Sequence, residues 1–226
     1  IGLRVIMLTQ SRTAFLTVLA FGFFVWLFSS HKVKLLLVVL VAAIAIWNFS
    51  PEQTRNRFLT LTKSFDVISA ESDVMYLGNK ELVSMSSRWV LLKHSMIIFF
   101  ENPIFGVGIH NFVSVSGRRW DSWLPTHCLY TEALSEIGLV GTLSFAYVLL
   151  LMFRNFARSK SIMEGNNDKS FIYHLNMAVY IYLLVRLIVG VFGQDLYRMW
   201  WWIAGGYSVV ILRIVQNKYL ITKTNE

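Results

Sequence analysis

Between residues 88 and 141 the chain places Arg88, Gly106, Gly108, His127, Gly138 and Gly141 in one continuous stretch. The guanidinium of arginine is always charged, and its fork of donors binds phosphate oxygens in pairs. A histidine with an ordinary pKa near 6.5 can accept a proton from a hydroxyl at neutral pH. Together they suit a transfer in which negative charge collects on phosphate while a hydroxyl gives up its proton. Each residue also has a plainer reading. Arg88 can belong to the solvated face of an amphipathic helix, and His127 can be the first residue of an apolar span, hydrogen-bonded to water.

The elements that position them follow from the flanking residues. Serines at 84, 86 and 87 favour a helix start there, and Trp89, Leu92, Met96 and Phe99 recur behind Arg88 as one helical face. Glu101-Asn102-Pro103 stops that helix. Gly106-Val107-Gly108 then supplies a backbone free to take positive φ, turning the chain into a polar loop, GRRWDSWLPT, that ends beside His127. This order predicts that Arg88 and His127 face one cavity at a membrane surface. Glu132 and Glu136, one turn apart in the span that follows, are costly there unless paired or facing water, so they either pair with arginines of the site or orient His127. Structural pairing is the reading preferred. Arg118 and Arg119, flanking Trp120 and Trp123, form either an anion-steering and sugar-stacking lip or an ordinary interfacial belt of Trp and Arg.

With these residues in view, the stretch resembles the O-antigen ligase and O-antigen polymerase family of bacterial membrane glycosyltransferases. The resemblance lies in Arg88, Asn102-Pro103, Gly106-x-Gly108, His127, Gly138 and Gly141, and in Thr9-Gln10-Ser11-Arg12, which is similar to the family's Ser-Arg loop. One departure is Cys128, where the family has an amide or a hydroxyl. The resemblance implies that Arg12 and Arg88 hold the pyrophosphate of a polyprenyl (undecaprenyl) diphosphate carrier and that His127 acts near the acceptor hydroxyl. It also implies metal-independent catalysis with no cofactor. The acceptor is a saccharide, either lipid A core in a ligase or another carrier-linked glycan in a polymerase. A protein O-oligosaccharyltransferase of the same family and a membrane transporter subunit are the alternatives. Transport would call for an inverted repeat or polar residues along several spans, and neither is visible.

Composition agrees independently. Of 226 residues 55% are hydrophobic, 15% aromatic and 15% charged, which is a membrane composition. A single cysteine rules out an internal disulfide. The net charge of +8 does not imply nucleic-acid binding, because the basic residues fall on alternate connections. Lys32 and Lys34, then Arg154, Arg158, Lys160 and Lys169, then Arg213, Lys218 and Lys223 are nine of the 21, as the positive-inside rule places them for cytoplasmic segments.

The expected architecture is therefore an all-α, polytopic transmembrane bundle: one membrane domain over 1–226, the C-terminal half of a longer protein, with an extracytoplasmic loop subdomain at 50–126. Spans are expected at 13–28, 35–49, 127–153, 171–192 and 199–215, with the C-terminus in the cytoplasm. Residues 51–70 read as an amphipathic helix lying on the membrane. Arg186 lies inside a span, where an ionisable residue is a functional hypothesis, with Asp195 or Glu136 as its partner. His94 is expected at the surface. The expected setting is the bacterial inner membrane, multi-pass, with membrane lipids, a carrier-linked glycan and a lipid or glycan acceptor as partners and the site on the periplasmic side.

Overall fold

The computed structural model describes residues 12–29, 32–34, 37, 41, 44, 80–193 and 196–221, the side chains of residues 12–15, 80–87, 220 and 221 excepted. Several expectations lie outside these residues: the Ser-Arg loop before Arg12, most of the span at 35–49, the amphipathic helix at 51–70, and Asp195. Among the described residues every regular element is helical. The chain divides into two compact units, Ile1–His94 and Ser95–Glu226.

In the first unit, α1 (Arg12–Phe28) exposes Leu19, Phe21, Phe23 and Leu27. Its 17 residues rise about 25 Å at 1.5 Å each, slightly less than the ~30 Å apolar slab of a bilayer. In its last turn the Trp26 indole N–H donates to the Lys32 carbonyl at 3.1 Å.

The helix α2 (Lys80–Glu101) carries the boundary between units after His94. Two expectations about it are corrected. It begins by Lys80, ahead of the serine cluster, and its buried stripe is Leu91, His94, Ser95 and Ile98 rather than Leu92, Met96 and Phe99. Trp89, Val90, Leu92 and Phe100 are exposed. A helix apolar around most of its circumference does not report from periodicity which stripe packs inward. His94, expected at the surface, is therefore buried at 9% exposure, since it falls three residues after Leu91 and four before Ile98.

The second unit contains α3 (Phe112–Trp120), α4 (Leu129–Gly165), α5 (Phe171–Val189), α6 (Trp200–Gln216) and a closing π-helical turn, Asn217–Ile221. The segment expected to be a polar loop thus holds a helix, and Arg118 and Arg119 lie in the last turn of α3. The long helix α4 is the axis on which α5 and α6 pack. Phe145 meets Trp201 edge-on at 5.4 Å, and Phe153 meets Tyr180 in the same way at 5.4 Å. Polar contacts fix the register: the Asn176 side-chain amide donates to the Phe156 carbonyl at 3.1 Å.

Both α4 and α5 are long and apolar enough to cross a membrane, and only 22% and 28% of their most apolar windows are buried. A core helix of a soluble protein would be mostly buried; here Leu143 and Leu150 are each 66% exposed. The apolar faces point outward, as they do where the neighbour is lipid.

One boundary moves. The span expected to end at Phe153 continues as helix to Gly165, because Phe156, Ser159 and Met163 stay buried below it. Arg154, Arg158 and Lys160 therefore ride on α4, and the turn proper is at 166–170. That turn is tied to the chain end, since Asp168 accepts hydrogen bonds from Tyr219, from Lys218 at 3.0 Å and from the Ser170 N–H at 2.8 Å. These donors, the Tyr219 hydroxyl foremost, hold the Asp168 carboxyl well below the usual carboxylate range.

Candidate functional site

The site is built on a break in α4. Gly138 has φ 62 and ψ −167, non-helical values inside an otherwise continuous helix. In an unbroken helix the Leu139 and Val140 N–H groups would donate to the Ser135 and Glu136 carbonyls, four residues back. Here all four groups are satisfied by the loop after α2. The Leu139 N–H donates to the Pro103 carbonyl at 2.8 Å and the Val140 N–H to the Ile104 carbonyl at 3.1 Å. In return the Ser135 carbonyl accepts from the Val107 N–H at 3.0 Å and the Glu136 carbonyl from the Gly108 N–H at 2.8 Å. Two intrahelical hydrogen bonds are exchanged for four between residues 28 or 36 positions apart, so none of these four peptide groups is orphaned.

Only glycine fits this exchange. Gly106 has φ 66, and a Cβ on it would lie 2.5 Å from the Glu136 carbonyl carbon. A Cβ on Gly138 would lie 2.4 Å from the Ile104 carbonyl oxygen and 2.6 Å from the Gly106 nitrogen. The sequence spacing Asn102-Pro103, Gly106-x-Gly108 and Gly138 is thus one structural device.

The Glu136 side chain completes it. Its Oε2 accepts from the His110 N–H at 2.8 Å and from the Tyr197 hydroxyl at 2.6 Å, while Oε1 accepts from the Phe112 N–H at 3.2 Å. Phe112 is the first residue of α3, where N–H groups lack intrahelical partners and a carboxylate is favoured. One turn back, Glu132 Oε2 accepts from the Leu196 N–H at 3.2 Å. Both glutamates are buried, and both hold backbone or hydroxyl donors of the loops at this end of α4. The structural pairing expected for Glu136 is made with these donors rather than with an arginine. Of the partners expected for Arg186, Glu136 is engaged in this way. The Tyr197 hydroxyl is held well above the ordinary phenol range, first by burial and then by the Glu136 carboxylate that accepts its proton's hydrogen bond.

His127 stands at the head of α4, half-buried, with a left-handed φ of 54 that a non-glycine residue rarely adopts. It precedes Cys128, the N-cap of α4 in extended conformation. The Cys128 side chain makes no capping hydrogen bond. Instead this end is secured by main-chain and hydroxyl groups: the Leu129 N–H donates to the Gly190 carbonyl at 2.7 Å, the Tyr130 hydroxyl to the Leu187 carbonyl at 2.7 Å, and the Thr126 and Thr131 hydroxyls to the Cys128 carbonyl at 3.2 and 3.3 Å. The first turn of α4, which follows His127, is thus held against the end of α5.

The structure gathers the lip residues at one end of α3. Arg119 pairs with Glu101 at 2.7 Å and lies 4.7 Å from the Trp120 ring, and the Arg118 Nε donates to the Ser114 carbonyl at 3.2 Å. The hydrogen bond lowers the Glu101 pKa and raises that of Arg119. Such an exposed ion pair contributes little stability, but it spends the Arg119 charge. Trp123 packs on Gly117, whose missing Cβ would lie 2.4 Å from the indole.

Arg88 is exposed on α2, three residues before Leu91 and seven before Ser95 on the stripe that buries them. Arg12 is the first residue of α1, its side chain outside the described residues. Both arginines belong to the first unit; Gly106, Gly108, Arg118, Arg119, His127, Glu132 and Glu136 belong to the second. Sequence reasoning missed His110 and Tyr197, whose rings meet at a tilt with centroids 4.4 Å apart. A signal existed for His110, two residues after Gly108 in the pattern Gly-x-Gly-x-His.

No curated protein and no solved structure matches the chain significantly. A family model described as O-antigen ligase does match, over residues 1–146. That span includes Arg12, Arg88, the interlocked glycines, His127 and both glutamates, and it is well over half of the 226 residues, so the chain belongs to the O-antigen ligase family.

Proposed function

We propose that the protein is a glycosyltransferase that moves a glycan from a polyprenyl diphosphate carrier to a saccharide acceptor during surface polysaccharide assembly. It acts at the extracytoplasmic face of the bacterial inner membrane. The observation that carries this reading is the family match over 1–146, which includes His127 at the head of a membrane-length helix.

The reaction breaks the bond between the anomeric carbon and the diphosphate oxygen and forms one from that carbon to the acceptor oxygen. The diphosphate leaves with the bonding electrons, and the acceptor proton passes to the imidazole of His127 as general base. Arg12 and Arg88, assigned from their motif positions, neutralise the departing diphosphate with paired donors, the kind of preorganised charge that supplies much of a catalyst's effect. Arg118 contributes to anion attraction at the lip, and Arg119 adds to it when a diphosphate displaces Glu101 from its guanidinium. Gly106, Gly108, Glu132 and Glu136 support the scaffold, and no metal or cofactor enters a step.

Transfer assayed in membranes with carrier-linked glycan as donor tests the reading. Carrier consumption with glycan appearing on a saccharide acceptor is expected; an intact protein that moves glycan onto no acceptor contradicts it.

A further inference from the structure

The reaction above leaves His110 and Tyr197 unused, although the fold spends a buried carboxylate on placing them. Glu136 receives the His110 N–H and the Tyr197 hydroxyl on the same oxygen, bringing together two residues 87 positions apart in sequence. His110 is exposed and holds a left-handed φ of 59, a conformation that persists in a histidine only where its surroundings impose it. One imidazole face lies toward Tyr197, with the rings tilted by 42°, while the residue as a whole stays exposed. Packing alone would not need an exposed ring held in a strained backbone by a buried charge.

We propose that the His110–Tyr197 pair is a saccharide-binding platform, with Glu136 as its positioning residue, taking the C–H face of a pyranose ring of the carrier-linked glycan against the exposed imidazole. This rests on the glycosyltransferase reading for the identity of the ligand. An aromatic ring offers a rigid flat face at low conformational cost, and a sugar ring presents axial C–H groups to it. Tyr197 backs the imidazole from behind, and Glu136 fixes the distance between the two chain segments that carry them.

The test uses the full-length protein in membranes, with undecaprenyl-diphosphate-linked repeat units extracted from the host as donor. His110→Asn removes the ring while tolerating the left-handed backbone, and is expected to raise KM about tenfold with kcat within about twofold, the size of a lost stacking contact. His110→Tyr keeps an aromatic face and is expected to recover most of the KM lost in His110→Asn. Glu136→Gln is expected to raise KM by more than it lowers kcat. An unchanged KM in His110→Asn, or a collapse of kcat in the Asn and Tyr variants alike, overturns the platform. Quenching of tryptophan fluorescence by the free repeat-unit oligosaccharide, released from its carrier by mild acid, separates the two claims. Binding that depends on His110 in a protein that does not turn over the carrier-linked glycan sinks the transferase reading and keeps the platform. Turnover with neither KM nor binding dependent on His110 does the reverse.

Discussion

Gly138 lies against Gly106 so closely that a Cβ on Gly138 would fall 2.6 Å from the Gly106 nitrogen, and a Cβ on Gly106 would in turn fall 2.5 Å from the Glu136 carbonyl carbon. Both have φ above 60. Gly106→Ala and Gly138→Ala therefore combine a left-handed backbone cost with a clash against main chain that cannot rotate away. Each is expected to destabilise by roughly 3 kcal/mol or more. Gly206→Ala, on α6 with nothing within 4 Å of the added methyl, is expected to be neutral or to stabilise by up to about 1 kcal/mol. Thermal unfolding of the three variants in detergent checks this contrast. Equal behaviour would mean that the glycine exchange does not hold the helix break.

The glycine device also shows how far the sequence could be read. The spacing from Gly106 to Gly138 was legible as a motif, but that its purpose is to trade hydrogen bonds between a loop and a broken helix was not, because no local pattern distinguishes Gly138 from an ordinary glycine in a span. The ends of α1 and α5 were legible from where apolar runs stop. The buried stripe of α2 was not, since Trp89, Val90 and Leu92 make the helix apolar on sides that stay exposed. Glu132 and Glu136 were visible as anomalies in an apolar segment, and physics required partners for them. Those partners were backbone N–H groups and the Tyr197 hydroxyl, and only the tertiary fold could supply their identity. His110 went unremarked because a histidine in a glycine-rich turn carries no periodicity.

The turn at Asp168 predicts a pH dependence. Its carboxyl is depressed in the folded state by Tyr219, Lys218 and the Ser170 N–H, so its contribution is fully present above the unfolded aspartate pKa of about 3.9 and is lost as pH falls through the lower folded value. Protection of the C-terminal helix from proteolysis should therefore persist at pH 5 to 7 and weaken as the pH drops below about 4. Asp168→Asn should loosen that end at neutral pH as well. Equal protection of variant and parent at pH 7 would show that the chain end is held by something else.

The positive-inside distribution predicts topology. Reporters fused after Lys34, after Lys160 and at the C-terminus should read cytoplasmic, and one inserted at Asn79 should read extracytoplasmic. A cytoplasmic signal at Asn79 would place the glycine loop and His127 on the wrong side for an extracytoplasmic transfer.

Arg88→Lys keeps the charge and loses the fork. If Arg88 binds the diphosphate through paired contacts, the variant in the complete protein should lose most transfer activity, by about 10- to 100-fold. Full activity at normal expression would return Arg88 to the solvated face of α2.

The most direct measurement is consumption of carrier-linked glycan by membranes carrying His127→Ala and, in parallel, Cys128→Asn. The Cys128 side chain makes no capping bond in the structure, and an amide is the stronger hydrogen-bonding group, so Cys128→Asn should keep or improve activity. His127→Ala should insert normally and lose transfer by at least about 100-fold, the scale expected for a missing general base. Transfer at the wild-type rate in His127→Ala would contradict the assignment of the site.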